Sequence, residues 1–145
     1  MTRRRLLASA IAILAVPSIQ AHGASSSDYA IVASGVADAP VLDRRLAKRI
    51  FSRQVTTWPD GTPITVVLPP VDSATMAWLC DQVLGVEPAV FVRYVSERAY
   101  RSKLERPLSA PDERAIAALV ADRPGTVSVI PVDTMLPGLA TLAIQ

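Results

Sequence analysis

A short polar segment behind an apolar run holds the residue types in this sequence that could do chemistry. Residues 64–68 are almost all aliphatic, two prolines follow, and Asp72, Ser73 and Thr75 then open an amphipathic stretch. A strand, a polar turn and a helix start would place free backbone N–H groups and the positive end of a helix dipole beside hydroxyl groups. This arrangement can hold an oxyanion.

The same residues also have a purely structural interpretation. Asp72 or Ser73 can cap the helix that follows, a role that contributes about 1 kcal/mol to stability. Capping is the commoner use of such residues, and the local sequence leaves both interpretations open.

Other site chemistries find little support in the sequence. His22 is the single histidine and precedes the region with core-like periodicity, so neither Ser73 nor Cys80 has an imidazole base. No spacing of His and Cys fits zinc or another transition metal. Asp112 and Glu113 are adjacent carboxylates, but neighbours at a helix start point in different directions and favour its dipole. We therefore expect no enzyme, no metal and no cofactor.

The first two dozen residues have the pattern of an export signal. Arginines occupy positions 3–5, residues 6–16 are apolar, and Ala21, Gly23 and Ala24 offer small residues for a signal peptidase. The apolar run is shorter than the roughly 20 residues that cross a bilayer. Residues 1–24 are thus predicted to be a cleavable signal for the general secretory or twin-arginine route, leaving one periplasmic domain over residues 25–145 without stable membrane insertion.

Charge and composition narrow the function classes. The chain has 15 basic and 13 acidic residues, and three of the basic ones lie in the leader, so residues 25–145 carry 12 against 13. This balance predicts no binding to nucleic acid or to an anionic membrane.

The apolar content of 50% with 5% aromatic residues is that of an α/β domain. Cys80 is the only cysteine, which excludes an intramolecular disulfide and favours a buried side chain.

Periodicity divides the domain into alternating strands and helices. Apolar runs predict strands, and spacings of three and four residues predict helices. A helix is also expected to begin at Ser109, as a capping box with Asp112. The outer face of the first helix is basic. The predicted strands are 29–33, 64–68 and 126–130, and the predicted helices are 42–51, 73–84, 88–100 and 109–123.

The order of these features resembles that of short phosphate-type substrate-binding proteins of ABC importers. The likeness spans residues 29–131. The motifs that carry it are Ile50-Phe51, Trp58-Pro59-Asp60-Gly61, the strand 64–67, Ser73-Ala74-Thr75 before a helix ending in Val83-Leu84-Gly85, Tyr94 with Tyr100 and Pro107, and the closing segment 120–129 with its Pro124-Gly125 turn.

The resemblance implies a fold, a ligand and a partner. The fold is α/β, of the periplasmic-binding-protein type II, with a mostly parallel sheet flanked by helices. A chain of this length would form about one of the family's two lobes. The implied ligand is phosphate or another small oxyanion, and the implied partner is the membrane part of an ABC importer. Asp72, Ser73 and Thr75, with Ser34 after the first strand, are the implied ligand groups.

Several positions depart from the family pattern, and they leave two functions open. The departures are Ala74 and Ser102 for glycines, Val95 for a tryptophan and Pro69 for an arginine that commonly contacts the anion. The first function is an exported solute-binding protein that captures an oxyanion. The second is an exported interaction module for another envelope protein, built on the same fold with a vestigial ligand site. A basic residue reaching Ser73 would favour the first, and an apolar cleft there would favour the second.

Overall fold

The computed structural model describes residues 28–36 and 41–144. These residues form five strands and four helices, and the second helix continues directly into a π-helical turn at Cys80–Leu84. The strands are β1 (Tyr29–Ala33), β2 (Thr65–Leu68), β3 (Leu108–Ser109), β4 (Thr126–Pro131) and β5 (Ala140–Leu142). The helices are α1 (Arg44–Phe51), α2 (Ala74–Leu79), α3 (Pro88–Ser102) and α4 (Glu113–Asp122).

The five strands form one sheet in the order β3-β2-β4-β1-β5. Strand β2 is parallel to β3 and β4, whereas β1 is antiparallel to β4 and β5. The α/β class is confirmed, but the sheet is mixed and not mostly parallel as predicted. A continuous apolar run shows that helices cover both faces of a strand, and this does not fix the direction of the strand.

Helices cover both faces of the sheet, so the strands lie in the middle of three layers. On one face, α1, α2 and α3 bury residues such as Ile31, Val66 and Val129. On the other face, α4 packs Ile116, Ala117 and Val120 against Ala30, Val32, Val67 and Ile130. Alternate residues of each strand enter opposite cores, because successive side chains of a strand point to opposite faces.

Side-chain caps define the starts of three helices. Asp43 accepts a hydrogen bond from the N–H of Leu46, Ser73 from that of Met76, and Asp112 from that of Ala115. The predicted start of the last helix at Ser109 is wrong, since Ser109 lies in the two-residue strand β3 and Asp112 is the cap. Two residues are too few to show a strand period, so β3 had no signal in the sequence.

A buried junction connects the 58–61 turn to the start of β4. Gly61 closes the turn through its N–H and the Trp58 carbonyl. The Trp58 indole donates to the carbonyl of Gly125 at 2.9 Å, and the Gly125 N–H donates to the carbonyl of Ser34 at 2.7 Å. A Cβ atom on Gly125 would lie 2.5 Å from the carbonyl oxygen of Pro63. Only glycine therefore fits at the centre of this junction.

Cys80 is buried in the larger core, as predicted for the only cysteine of the sequence. Burial raises the pKa of its thiol to about 11. We expect the native protein at pH 8 to react with a disulfide reagent about a hundredfold more slowly than the unfolded chain, because thiolate is the attacking species. Timed thiol titration with and without denaturant measures this ratio. Equal rates in the two states would contradict the buried, protonated thiol.

The predicted signal peptide, residues 1–24, lies outside the described residues. Within the part of the chain that the structure describes, none of the helices has the length and apolar character needed to cross a membrane.

Candidate functional site

The amino ends of α2 and α4 meet at the carboxyl ends of strands β2 and β3, a region that we call the Ser73 edge. Strands β2 and β3 are parallel neighbours, with Leu68 beside Ser109, so their carboxyl ends share an edge. The chain passes from β2 into α2 through Ser73, and from β3 into α4 through Asp112. Both helices therefore direct free N–H groups and the positive ends of their dipoles to this edge.

Ser73 acts as the cap that the structural interpretation predicts. Its hydroxyl donates to the carbonyl of Pro70 at 2.7 Å and accepts from the N–H of Met76 at 3.1 Å. Its neighbour Asp72 has an exposed side chain. An anion at Ser73 would take the hydroxyl hydrogen away from the Pro70 carbonyl, while the hydroxyl oxygen could still accept from the Met76 N–H and cap the helix.

Thr75 and Glu113 join the two helix starts. The Thr75 side chain is buried, and its hydroxyl donates to Oε1 of Glu113 at 3.2 Å. Glu113 is the first residue of α4, where the helix dipole stabilises a carboxylate. The protein thus places a negative group of its own on a hydroxyl that the sequence resemblance assigns to the ligand.

A cavity of about 220 Å³ lies beside this edge. Its wall is mostly apolar, and Arg106 is the basic residue that lines it. The other lining residues are Leu68, Pro69, Pro70, Val71, Val92, Val95, Ser96, Pro107, Leu108 and Ser109. The edge therefore combines one cation with an apolar cleft, so it has features that favour each of the two functions.

Ser34 lies at the opposite ends of the strands, beside the amino end of β4. Its N–H donates to the carbonyl of Thr126, the first residue of β4, while α2 begins beyond the carboxyl end of β2. The Ser34 hydroxyl donates to the carbonyls of Val120 and Arg123 at the end of α4. Strand β2, roughly 13 Å long, separates Ser34 from Ser73, so no single small anion reaches both.

The structure thus brings Asp72, Ser73 and Thr75 together and adds Glu113 to them. Sequence reasoning treated Glu113 only as a favourable residue in the first turn of a helix, a role the structure confirms. Its contact with Thr75 joins residues far apart in the chain. The sequence held only part of the signal, the polar start of each helix, because the two-residue strand before α4 and its pairing with β2 could not be predicted. Among the described residues, none of the groups of His, Cys, Asp and Glu could hold a metal ion.

Three solved structures with a similar fold are described as phosphate-transport proteins. A Clostridium perfringens structure, described as a phosphate ABC transporter substrate-binding protein with bound phosphate, matches 81% of this chain with a TM-score of 0.57 and 16% identity. PstS from Borrelia burgdorferi matches with a TM-score of 0.60 and 9% identity, and an ABC-type phosphate transport receptor from Vibrio cholerae with 0.53 and 14%. Each match also covers 81% of this chain.

These likenesses confirm the fold predicted from the sequence resemblance, which is that of phosphate ABC transporter substrate-binding proteins. The matches cover 44%, 47% and 46% of the three solved chains, so the present chain spans just under half of their length. No protein-family model and no curated protein matches the sequence.

Proposed function

We propose that this protein is an exported solute-binding protein that captures phosphate or a similar oxyanion where the starts of α2 and α4 meet. The observation that carries the proposal is the convergence of two helix amino ends, with the Ser73 and Thr75 hydroxyls, at the carboxyl edge of parallel strands. Ligands of open α/β sheets bind at such edges. The shared fold with proteins named for phosphate transport supports the same ligand class.

The proposed working location is the periplasm. The basic, apolar and small-residue pattern of residues 1–24 supports removal of a signal there and a single domain over residues 25–145. The membrane part of an ABC importer is the proposed partner. Ser34 lies at the opposite ends of the strands and cannot contact an anion bound at Ser73. It would take part in ligand binding only through a second, separate contact with the ligand.

A second function is favoured by the state of the hydroxyl groups. Those of Ser73, Thr75 and Ser34 all donate within the protein, and Glu113 places negative charge on Thr75. Together with the apolar wall of the 220 Å³ cavity, this arrangement fits an exported interaction module in which the oxyanion site is vestigial. Its partner would be another envelope protein with an apolar contact surface.

Thermal unfolding with phosphate or sulfate at matched ionic strength tests the proposal. A ligand at a hundredfold over its dissociation constant adds about 2.7 kcal/mol, which for a domain of this size raises Tm by about 10 °C. We expect a phosphate-dependent rise in the wild type and none in Ser73→Ala.

The matched control for Ser73→Ala is Asp43→Ala. Each change removes a helix cap and lowers stability by about 1 kcal/mol, but Asp43 caps α1, and neither Asp43 nor α1 lines the cavity beside Ser73. Asp43→Ala should therefore keep the full phosphate response. Absence of any anion-dependent rise in the wild type would exclude the capture of an oxyanion and leave the interaction module as the function to pursue.

A further inference from the structure

Two exposed valines at the start of α3 separate two cavities. Val86 precedes the helix and is 40% exposed, and Val90 lies in its first turn and is 46% exposed. Both valines line a cavity of about 720 Å³ and also one of about 250 Å³. They therefore form the wall between the two cavities, and we call them the valine ridge.

The larger cavity carries negative charge. Asp81 and Glu87 line it, and both side chains are exposed. Burial and the nearby Glu87 carboxylate raise the pKa of the Cys80 thiol, another lining residue, so this charge lies close to the cavity wall. None of the described residues that line the larger cavity is basic.

The smaller cavity, on the other side of the ridge, carries positive charge. Lys48 of α1 lines it, and the described residues that share its lining include no carboxylate. Lys48 is exposed, and the ion pair found within the described part of the chain joins Arg101 to Glu97 of α3. Lys48 and the two carboxylates of the larger cavity are therefore not ion-paired among the described residues.

The surface between these charges is apolar. Tyr94 lies four residues after Val90 on α3, so it continues the valine ridge along the same helix face, and it is 43% exposed. Leu84 and Phe91 line the smaller cavity behind these side chains. An exposed apolar patch with a polar rim is typical of a surface that binds another protein.

The order of acidic, apolar and basic surface identifies the partner as a second copy of this chain. A twofold dimer buries the same patch on both copies. A twofold axis that runs along the ridge brings the two ridges together and sets the acidic side of each copy against the basic side of the other. An axis across the ridge would oppose like charges, which is unfavourable. A partner with one sign of charge would match only one side of the ridge.

We propose that the protein forms a twofold homodimer through the valine ridge, in which Lys48 of each copy faces Asp81 and Glu87 of the other. None of these residues lines the cavity at the Ser73 edge, so the proposal does not depend on phosphate capture.

Sedimentation velocity of the full chain over a range of concentrations tests this dimer by exchange of charges. Lys48→Glu would oppose three carboxylates across the ridge, and Asp81→Lys combined with Glu87→Lys would oppose three lysines. We expect each variant alone to raise the dimer dissociation constant at least about tenfold. An equimolar mixture of the two variants should regain the wild-type affinity, because both contacts of the mixed dimer then pair opposite charges.

The three substituted residues are exposed, so the changes leave the core intact. Arg45→Glu is the matched control, since it reverses a charge on the same helix at a residue that lines neither cavity, and it should dimerise as the wild type does. A monomeric wild type, unchanged association in both charge variants, or a mixture that associates no better than its components would each overturn the proposal.

Discussion

Gly125→Ala is expected to destabilise the protein by about 4 kcal/mol, because two independent penalties act at this residue. Its φ of +82° lies in the left-handed region that residues with a Cβ atom avoid. A Cβ atom there would also stand 2.5 Å from the Pro63 carbonyl oxygen and 2.9 Å from Cγ2 of Thr62. Relief of these contacts would move backbone that holds the Trp58 indole and the end of β1.

Gly138→Ala separates the two penalties. Gly138 has a similar φ of +87°, but a Cβ atom there would meet no atom within 4 Å. It should therefore lose only the conformational part, about 1–2 kcal/mol. Urea unfolding of both variants, followed by circular dichroism, gives the difference. Equal losses would show that the close approach of Gly125 to Pro63 contributes nothing to stability.

Glu113→Gln is expected to tighten phosphate binding at the Ser73 edge at least about tenfold, equivalent to about 1.4 kcal/mol. Glu113 accepts the Thr75 hydroxyl hydrogen and would repel an anion at that position. The amide oxygen of glutamine can still accept from Thr75, so the change removes the charge with little change in shape. Isothermal titration with phosphate measures the affinity of each protein directly.

Asp122→Asn is the matched control for this change. Asp122 ends the same helix, so its substitution alters net charge equally but at the far end of α4. Phosphate affinity should be unchanged in this variant. Tighter binding in both variants would point to a general charge effect. Failure of both Glu113→Gln and the wild type to bind would favour the interaction module.

Much of the fold follows from local patterns in the sequence. The strand at Tyr29–Ala33 and the helices over Arg44–Phe51 and Pro88–Ser102 were predicted because their apolar periods are regular. The basic outer face of α1 is exposed, as its spacing indicates. Such features depend on neighbours in the chain, so a single sequence contains the information for them.

The candidate site could be predicted only in part, because its geometry depends on tertiary contacts. The turn at Ser73 was located correctly, but the direction of β1, which takes Ser34 to the opposite edge, has no local signature. The hydrogen bond from Thr75 to Glu113 joins two helix starts that become neighbours only through the pairing of β2 with β3. The opposite charges on the two sides of the valine ridge likewise became visible only when the helices around it were placed.

The position of β4 at the centre of the sheet has a consequence for folding order. Strand β4 lies between β2 and β1 and pairs with both, so the two earlier strands are not joined in one sheet until residues 126–131 are available. Contacts between residues this distant in sequence form slowly, because a long loop must close before they add stability. A nascent chain that ends before β4 therefore has no complete core. The first strand can therefore pair only after the last 20 residues, 126–145, begin to be available.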